Sequence, residues 1–325
     1  MNPNLKKAAA CLKKYNSFLI TSHTNLEGDA LGSELAFYAL VKRMGKTAFV
    51  VNDDLLPYGY DFLPNKEVVI KFSENKLKKD FDCFVVLDCS DLNRPGRVAQ
   101  LNTAGKPVLN IDHHISNQMF ADVNWVEPGA SSCCEMIYKL FKAMRVPIDK
   151  ETAICLYAGI LTDTGSFRYS NTSAFTHSVA ADLLARGFNG TDIYRNVYEN
   201  VPLADMKILS KVLPGMKQEA QGRVIWFQIK RDMLAGKKTS FDLGEQILSF
   251  GRAIKGVEVV VLFKENLSGR GEIRVNFRSR GNVDVNSIAQ SFGGGGHKTA
   301  SGATISGTLA SARKKVLARI KKSLI

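Results

Sequence analysis

The sequence predicts an α/β protein built from a parallel, doubly wound sheet followed by a smaller α+β domain with a mixed sheet. Three observations carry that expectation. Up to about residue 187, short apolar runs alternate with helical stretches, the rhythm of strands joined by crossover helices. Beyond residue 220 the pattern changes to strands with period-two features and ends in a basic helix. A chain of 325 residues also exceeds a usual single domain. The boundaries read 1–187 for the first domain, 188–220 for a polar helical connector and 221–325 for the second.

SFLITSH (17–23) is a short apolar run that ends in polar residues. A helix is expected from Leu31 to Met44, with Gly45 as its stop. TAFVVND (47–53), FDCFVVLD (81–88) and PVLNID (107–112) read as buried strands, short, rich in Val, Phe and Leu and bounded by turn residues. Ser132 followed by Glu135 forms a capping box that opens a second helix in SSCCEMIYKLFKAM. Another helix runs from about Lys150 to Leu161, and THSVAADLLARG closes on Gly187. In the second domain RVIWFQIK, GVEVVVLFKEN and GEIRVNFRSR are strands, the last two joined by a hairpin turn at LSGRG (267–271). A helix at VDVNSIAQSF, the run GGGGH and a helix from about Leu309 follow.

Composition is that of an ordinary soluble protein, 45% hydrophobic and 23% charged. No apolar run approaches the ~20 residues of a membrane span. Lys13 and Lys14 interrupt the N-terminal apolar stretch, so no secretory leader is expected and the cytoplasm is the expected location. The cysteines form no CxxC pair or zinc spacing, so reduced, buried thiols are expected. Net charge is +13, and residues 191–325 hold 23 Lys and Arg against 11 Asp and Glu. That asymmetry directs an anionic partner to the C-terminal part.

The histidines His23, His113 and His114 sit where expected strands end, beside carboxylates. The run HTNLEGDALGS (23–33) offers His23, Glu27 and Asp29; FVVLD ends on Asp88; VLNID ends on Asp112; LTDTGS offers Asp163. In open α/β sheets, sites form at the carboxyl ends of strands. Carboxylates converging in a buried place need cations. Mixed imidazole and carboxylate donors favour manganese, iron, cobalt or zinc, manganese foremost. Two such ions can deprotonate a shared water and neutralise phosphoryl oxygens.

These residues resemble the DHH phosphoesterase family. Asp112-His113-His114 is similar to its name-giving motif, HTNLEGDALGS to its first, Asp88 to its second and TDTG with Asp163 to its fourth. FRSRG (277–281) and VDVNSIAQSFGGGGHKTASG (283–302) resemble the DHH-associated C-terminal domain. The group most resembled is that of bifunctional oligoribonucleases (nanoRNases) and 3′-phosphoadenosine-5′-phosphate phosphatases. The resemblance implies that His23, Glu27 and Asp88 hold one divalent cation, and Asp29, Asp88, His113 and Asp163 another. Asp112 would orient a ligand histidine, and His114 would face the substrate phosphate and assist the leaving group. Arg278, Ser279, Gly294, Gly295, Gly296 and His297 would bind substrate, the glycines as an anion-binding nest approached closely by the ligand. The family usually reads Pro-Asp where this chain has Leu26-Glu27.

The implied partner is short single-stranded RNA or DNA or a small nucleotide, held across a cleft between the domains, with no membrane involved. Alternatives are a phosphodiesterase for cyclic or linear dinucleotides (c-di-AMP or pApA) and a non-catalytic RNA-binding protein. The oligomeric state stays open, a homodimer included.

Overall fold

The computed structural model describes residues 2–73, 80–234, 243–265 and 271–324. The chain divides into Met1–Asn200 and Val201–Ile325. The division falls inside the 188–220 segment read as a connector.

The first unit runs α1 (Pro3–Lys14), β1 (Ser17–Thr21), α2 (Gly28–Arg43), β2 (Thr47–Asn52), β3 (Val69–Lys71), β4 (Cys83–Leu87), β5 (Val108–Asp112) and β6 (Val123–Val126). It continues with α3 (Cys133–Met144), α4 (Lys150–Asp163), α5 (Ala174–Leu184) and α6 (Gly190–Tyr198). The strands pair in parallel in the order β3-β2-β1-β4-β5-β6. That order reverses direction between β1 and β4, the switch point where such sheets open a crevice.

Alternation along the central strands feeds two cores. Phe18, Ile20, Cys83, Val85 and Leu87 face the large cluster beneath α1–α4. Leu19, Phe84 and Val86 face a smaller one that holds Phe72, Phe81 and Val98. A side chain such as Phe18 or Phe84, with no exposure at all, contributes ~1.5–3 kcal/mol by leaving water. The apolar stretch near the N-terminus is an amphipathic helix: Leu5, Ala8, Ala9, Cys11 and Leu12 of α1 are buried. Helices α2 and α4 cross closely because Gly32 and Gly159 lack side chains. A Cβ on Gly32 would stand 2.4 Å from the Cys155 carbonyl, and one on Gly159 would stand 2.2 Å from Cys134 Sγ and 2.9 Å from Asp29 Oδ1. This crossing sets the first turn of α2 against the last turn of α4.

The second unit runs α7 (Leu203–Val212), β7 (Lys217–Glu219), β8 (Val224–Ile229), α8 (Leu243–Ala253), β9 (Val259–Glu265) and β10 (Glu272–Ser279). It ends with α9 (Val285–Gln290), β11 (Gly295–Gly296), β12 (Ala300–Ser306) and α10 (Leu309–Ser323). Its sheet has the order β11-β12-β10-β9-β8-β7, with β8 and β9 parallel and the other pairs antiparallel. Val259, Val261 and Phe263 pack with residues of α9 and α10 on one face. Val260 and Leu262 pack with α7 and α8 on the other. The turn expected at LSGRG lies, but for Gly271, outside the described residues. Among the described residues no helix is long and apolar enough to cross a membrane.

Candidate metal centre

Each element of the first unit delivers its polar residue where the strand or helix stops. β1 ends one residue before Ser22, and His23 follows. Its Nδ1 lies 2.8 Å from the Thr24 carbonyl, which leaves Nε2 facing Asp88 Oδ2 at 3.4 Å. β4 ends at Leu87, and Asp88 adopts a left-handed backbone (φ 55°) that turns the chain off the sheet. β5 ends on Asp112, so that His113 and His114 follow directly.

Glu27 caps α2. Its Oε1 accepts from the amides of Asp29 at 3.1 Å and Ala30 at 2.9 Å, and stands 4.0 Å from His23 Nε2. This cap starts the helix at Gly28, ahead of the expected Leu31. Asp29 is fully buried and turns its carboxylate onto the N-terminus of α3, accepting from the amides of Cys133 at 2.6 Å and Cys134 at 2.8 Å. The partial positive charge of a helix start suits an anion there.

His113 Nε2 is the meeting point. It lies 3.6 Å from Asp29 Oδ2, 3.4 Å from Asp88 Oδ1 and 3.5 Å from Asp163 Oδ2. The side chains of His23, Glu27 and Asp88 form one group able to hold an ion, and those of Asp29, Asp88 and His113 another, with Asp88 common to both.

The electrostatics are those of buried carboxylates and imidazoles crowded together. Burial, reinforced by Asp88 and Asp163, pushes Asp29 well above the ordinary carboxylate range. Burial, with Glu27 and Asp88 nearby, carries Asp163 up to about 7 although His113 opposes it. Burial would lower His113, but the carboxylates of Asp163, Asp88 and Asp29 raise it well above its usual value. Burial would raise Asp88, yet His113, His23 and His114 hold it well below. Asp88 Oδ1 is nevertheless enclosed without a hydrogen-bond partner. A buried acceptor left bare is costly. A divalent cation beside Asp88 removes that cost, and nitrogen and oxygen donors of this kind suit manganese, iron, cobalt or zinc. The residues present therefore fit cations.

The tie expected between Asp112 and a ligand histidine is different in the structure. Asp112 Oδ1 holds His114 Nδ1 at 2.7 Å and the His113 amide at 2.8 Å, and its Oδ2 accepts from Asn117 at 2.6 Å. The Nδ1 atoms of His113 and His23 face the carbonyls of Ala130 at 3.3 Å and Thr24 at 2.8 Å. Asp112 thus meets His113 through its backbone amide and His114 through its ring. Sequence reasoning passed over Asn117, the Cys133 and Cys134 amides, and Asn171, whose amide donates to the Asp163 carbonyl at 3.1 Å. Only the α3 start was signalled, by the Ser132–Glu135 spacing; the Ser132 hydroxyl accepts from the Glu135 amide at 3.0 Å, while the Glu135 carboxylate accepts from the Ser131 hydroxyl at 2.6 Å instead of closing the expected capping box.

The residues expected to bind substrate gather at one end of the second sheet. Arg278 pairs with Ala300 across β10 and β12, and the His297 amide donates to the Ala300 carbonyl at 2.7 Å. Their local chemistry departs from the expectation. Arg278 is clamped to Glu245 of α8 through Nε at 3.0 Å and Nη2 at 2.5 Å, while Nη1 donates to the Phe277 carbonyl. Ser279 is 1% exposed, and its hydroxyl lies 3.5 Å from the Lys298 carbonyl. The glycine run is not an open nest. The Gly294 amide donates to Ala289, and Gly295 and Gly296 pair with Gly302 and Ser301. A Cβ on Gly294 would stand 2.1 Å from the Gly302 carbonyl, so this glycine answers a close approach of the chain to itself.

Comparison with known proteins gives a consistent picture. Residues 17–160 match the DHH family N-terminal domain and residues 234–324 the DHHA1 domain. The chain is 32% identical over 308 residues to the bifunctional oligoribonuclease and PAP phosphatase NrnA of Thermus thermophilus, covering 94% of this chain and 89% of that one. It is 28% identical over 297 residues to the Bacillus subtilis protein of the same name, covering 90% of each. The crystal structure of an exopolyphosphatase-related protein from Bacteroides fragilis superimposes with a TM-score of 0.87 at 25% identity, covering 98% of this chain and 96% of that one.

Proposed function

Since the chain belongs to the DHH family of phosphoesterases, we propose that it is a manganese-dependent hydrolase of short oligoribonucleotides that also dephosphorylates 3′-phosphoadenosine 5′-phosphate. The observation that carries the reading is Asp88, whose side chain is common to two donor groups and whose enclosed Oδ1 lacks a hydrogen-bond partner. The activities are those in the names of the Thermus thermophilus and Bacillus subtilis relatives.

His23, Glu27 and Asp88 would hold one cation, and Asp29, Asp88, His113 and Asp163 the other. When bound, the cations supply Lewis-acid activation of water and neutralise charge on the phosphoryl oxygens. The chain does the rest. Asp112 fixes His114 by accepting from Nδ1, so Nε2 is the atom that would pass a proton to the leaving oxygen. The α3 amides keep Asp29 oriented, and the Glu27 cap keeps the start of α2 in place. Substrate selection falls to residues 221–325 with the connector 188–220 before them, since the basic excess lies there.

The test is a time course on end-labelled two- to five-nucleotide RNAs and on a long homopolymer, with manganese, beside a phosphatase assay. Short substrates should turn over fastest. Asp88→Asn should lose at least ~10³-fold in kcat, the order of a lost transition-state contact or more. Unchanged turnover in that variant would overturn the two-cation assignment. Equal turnover of the homopolymer would overturn the preference for short chains.

A further inference from the structure

The loop that follows Asp88 carries two arginines with opposite surroundings. Arg97 is committed to structure. Its Nε and Nη2 donate to Asp53 Oδ1 at 2.9 and 2.6 Å, its amide donates to Asp53 Oδ2 at 3.0 Å, and its guanidinium lies over the Phe72 ring. Arg94 makes no ion pair with a carboxylate among the described residues, although Glu27, Asp29, Asp88, Asp112 and Asp163 crowd the same edge of the sheet. Its Nε is buried and has no hydrogen-bond partner.

The backbone of Arg94 is nonetheless well fixed. Its amide donates to the Asp91 carbonyl at 3.3 Å, and its own carbonyl accepts from the Thr24 amide at 2.8 Å, beside His23. Gly96 locks the turn: it has φ +63°, and a Cβ there would stand 2.5 Å from Asp53 Oδ2 and 2.9 Å from Thr24. A half-buried guanidinium without an anion is unfavourable, and its planar fork matches phosphate oxygens.

We infer that Arg94 is a phosphate-binding residue of this site, which grips a non-bridging oxygen of the substrate and stabilises the charge that builds there during transfer. The inference rests on the phosphoesterase reading above. It assigns the anion contact of the first unit to a residue outside every motif quoted from the sequence.

The test compares wild type with Arg94→Gln and Arg94→Lys in the full chain. Three quantities are measured: calorimetric binding of inorganic phosphate with manganese present, kcat and KM on a ribodinucleotide, and manganese stoichiometry with thermal stability. Arg94→Gln should bind phosphate at least tenfold more weakly and lose about 10²–10³ in kcat, the usual loss for one preorganised donor. Manganese stoichiometry should not change. Arg94→Lys, which keeps the charge without the fork, should fall between. Phosphate affinity and kcat within twofold of wild type would overturn the inference, as would a wild type that binds no phosphate. If Arg94→Gln does not fold, Arg94→Lys decides: a tenfold loss of phosphate affinity supports the inference, and wild-type affinity assigns Arg94 to loop structure. A wild type that hydrolyses no phosphate ester, with phosphate binding still lost in Arg94→Gln, sinks the substrate reading alone.

Discussion

Glu34, on α2, is fully buried and lies outside the donor groups, yet it should govern how stability depends on pH. Its Oε2 accepts from Asn52 Nδ2 at 2.8 Å, and its Oε1 has no partner. Burial outweighs the hydrogen bond from Asn52 and pushes its pKa from the ordinary 4.5 up to about 8. The sign follows from which state keeps the proton. Between about 4.5 and 8 the unfolded chain releases it and the folded chain retains it, so stability falls as pH rises and levels off above about 8. At ~1.4 kcal/mol for each unit of pKa, the loss between pH 5 and 9 is on the order of 4 kcal/mol. Glu34→Gln keeps an acceptor for Asn52 and never ionises. Urea denaturation of both proteins at intervals from pH 5 to 9, with cations chelated, should show the variant gaining on wild type as pH rises. Parallel profiles would refute the reasoning. The consequence reaches the site, because Asn52 Oδ1 accepts from the Ser22 amide at 3.3 Å, immediately before His23.

Further outcomes follow from the same geometry. Glu27→Gln keeps an oxygen for the amides of Asp29 and Ala30, so its thermal stability should drop by less than the ~1 kcal/mol of a deleted cap. Its manganese affinity should still fall at least ~10-fold, as calorimetry would show, because a charged donor is gone. Asp29, Asp163 and His113 all hold protons more tightly than usual, and a cation must displace them. Apparent manganese affinity should therefore rise from pH 6 to 8 by ~10-fold per unit for each proton displaced, and an affinity independent of pH would contradict this. Asp112→Asn should lower kcat by ~10–100-fold with KM little changed, since it loosens His114 rather than a cation donor. A change confined to KM would move His114 out of the chemistry.

The legible part of the fold was its centre. β1, β4 and β5 are buried on both faces, so their sequences are short apolar runs with sharp ends, and those ends carry His23, Asp88 and Asp112. β6 (VNWV) and β3 (VIK) escaped because short edge strands bury too little to impose a pattern. The second unit was less legible for a different reason. Arg278 meets Glu245 across an intervening strand and a helix, a pairing no local spacing announces. A glycine run reads alike whether a ligand or the chain itself comes close, and only the Gly302 carbonyl beside Gly294 distinguishes them.

The carboxylates of the first unit are unequal in what offsets their charge. Asp29 accepts from the amides of Cys133 and Cys134, Glu27 from those of Asp29 and Ala30, and Asp112 from the His113 amide, His114 and Asn117. These anions have partners before any cation arrives. Asp88 has no backbone donor to its carboxylate among the described residues, only imidazole nitrogens at 3.4–3.6 Å. It is also common to both donor groups. Loss of Glu27 or Asp163 should therefore weaken one cation and spare the other, whereas Asp88→Asn should weaken both together. Manganese stoichiometry measured across these variants would show that ordering, and equal losses in all of them would mean that the cations are not shared through Asp88.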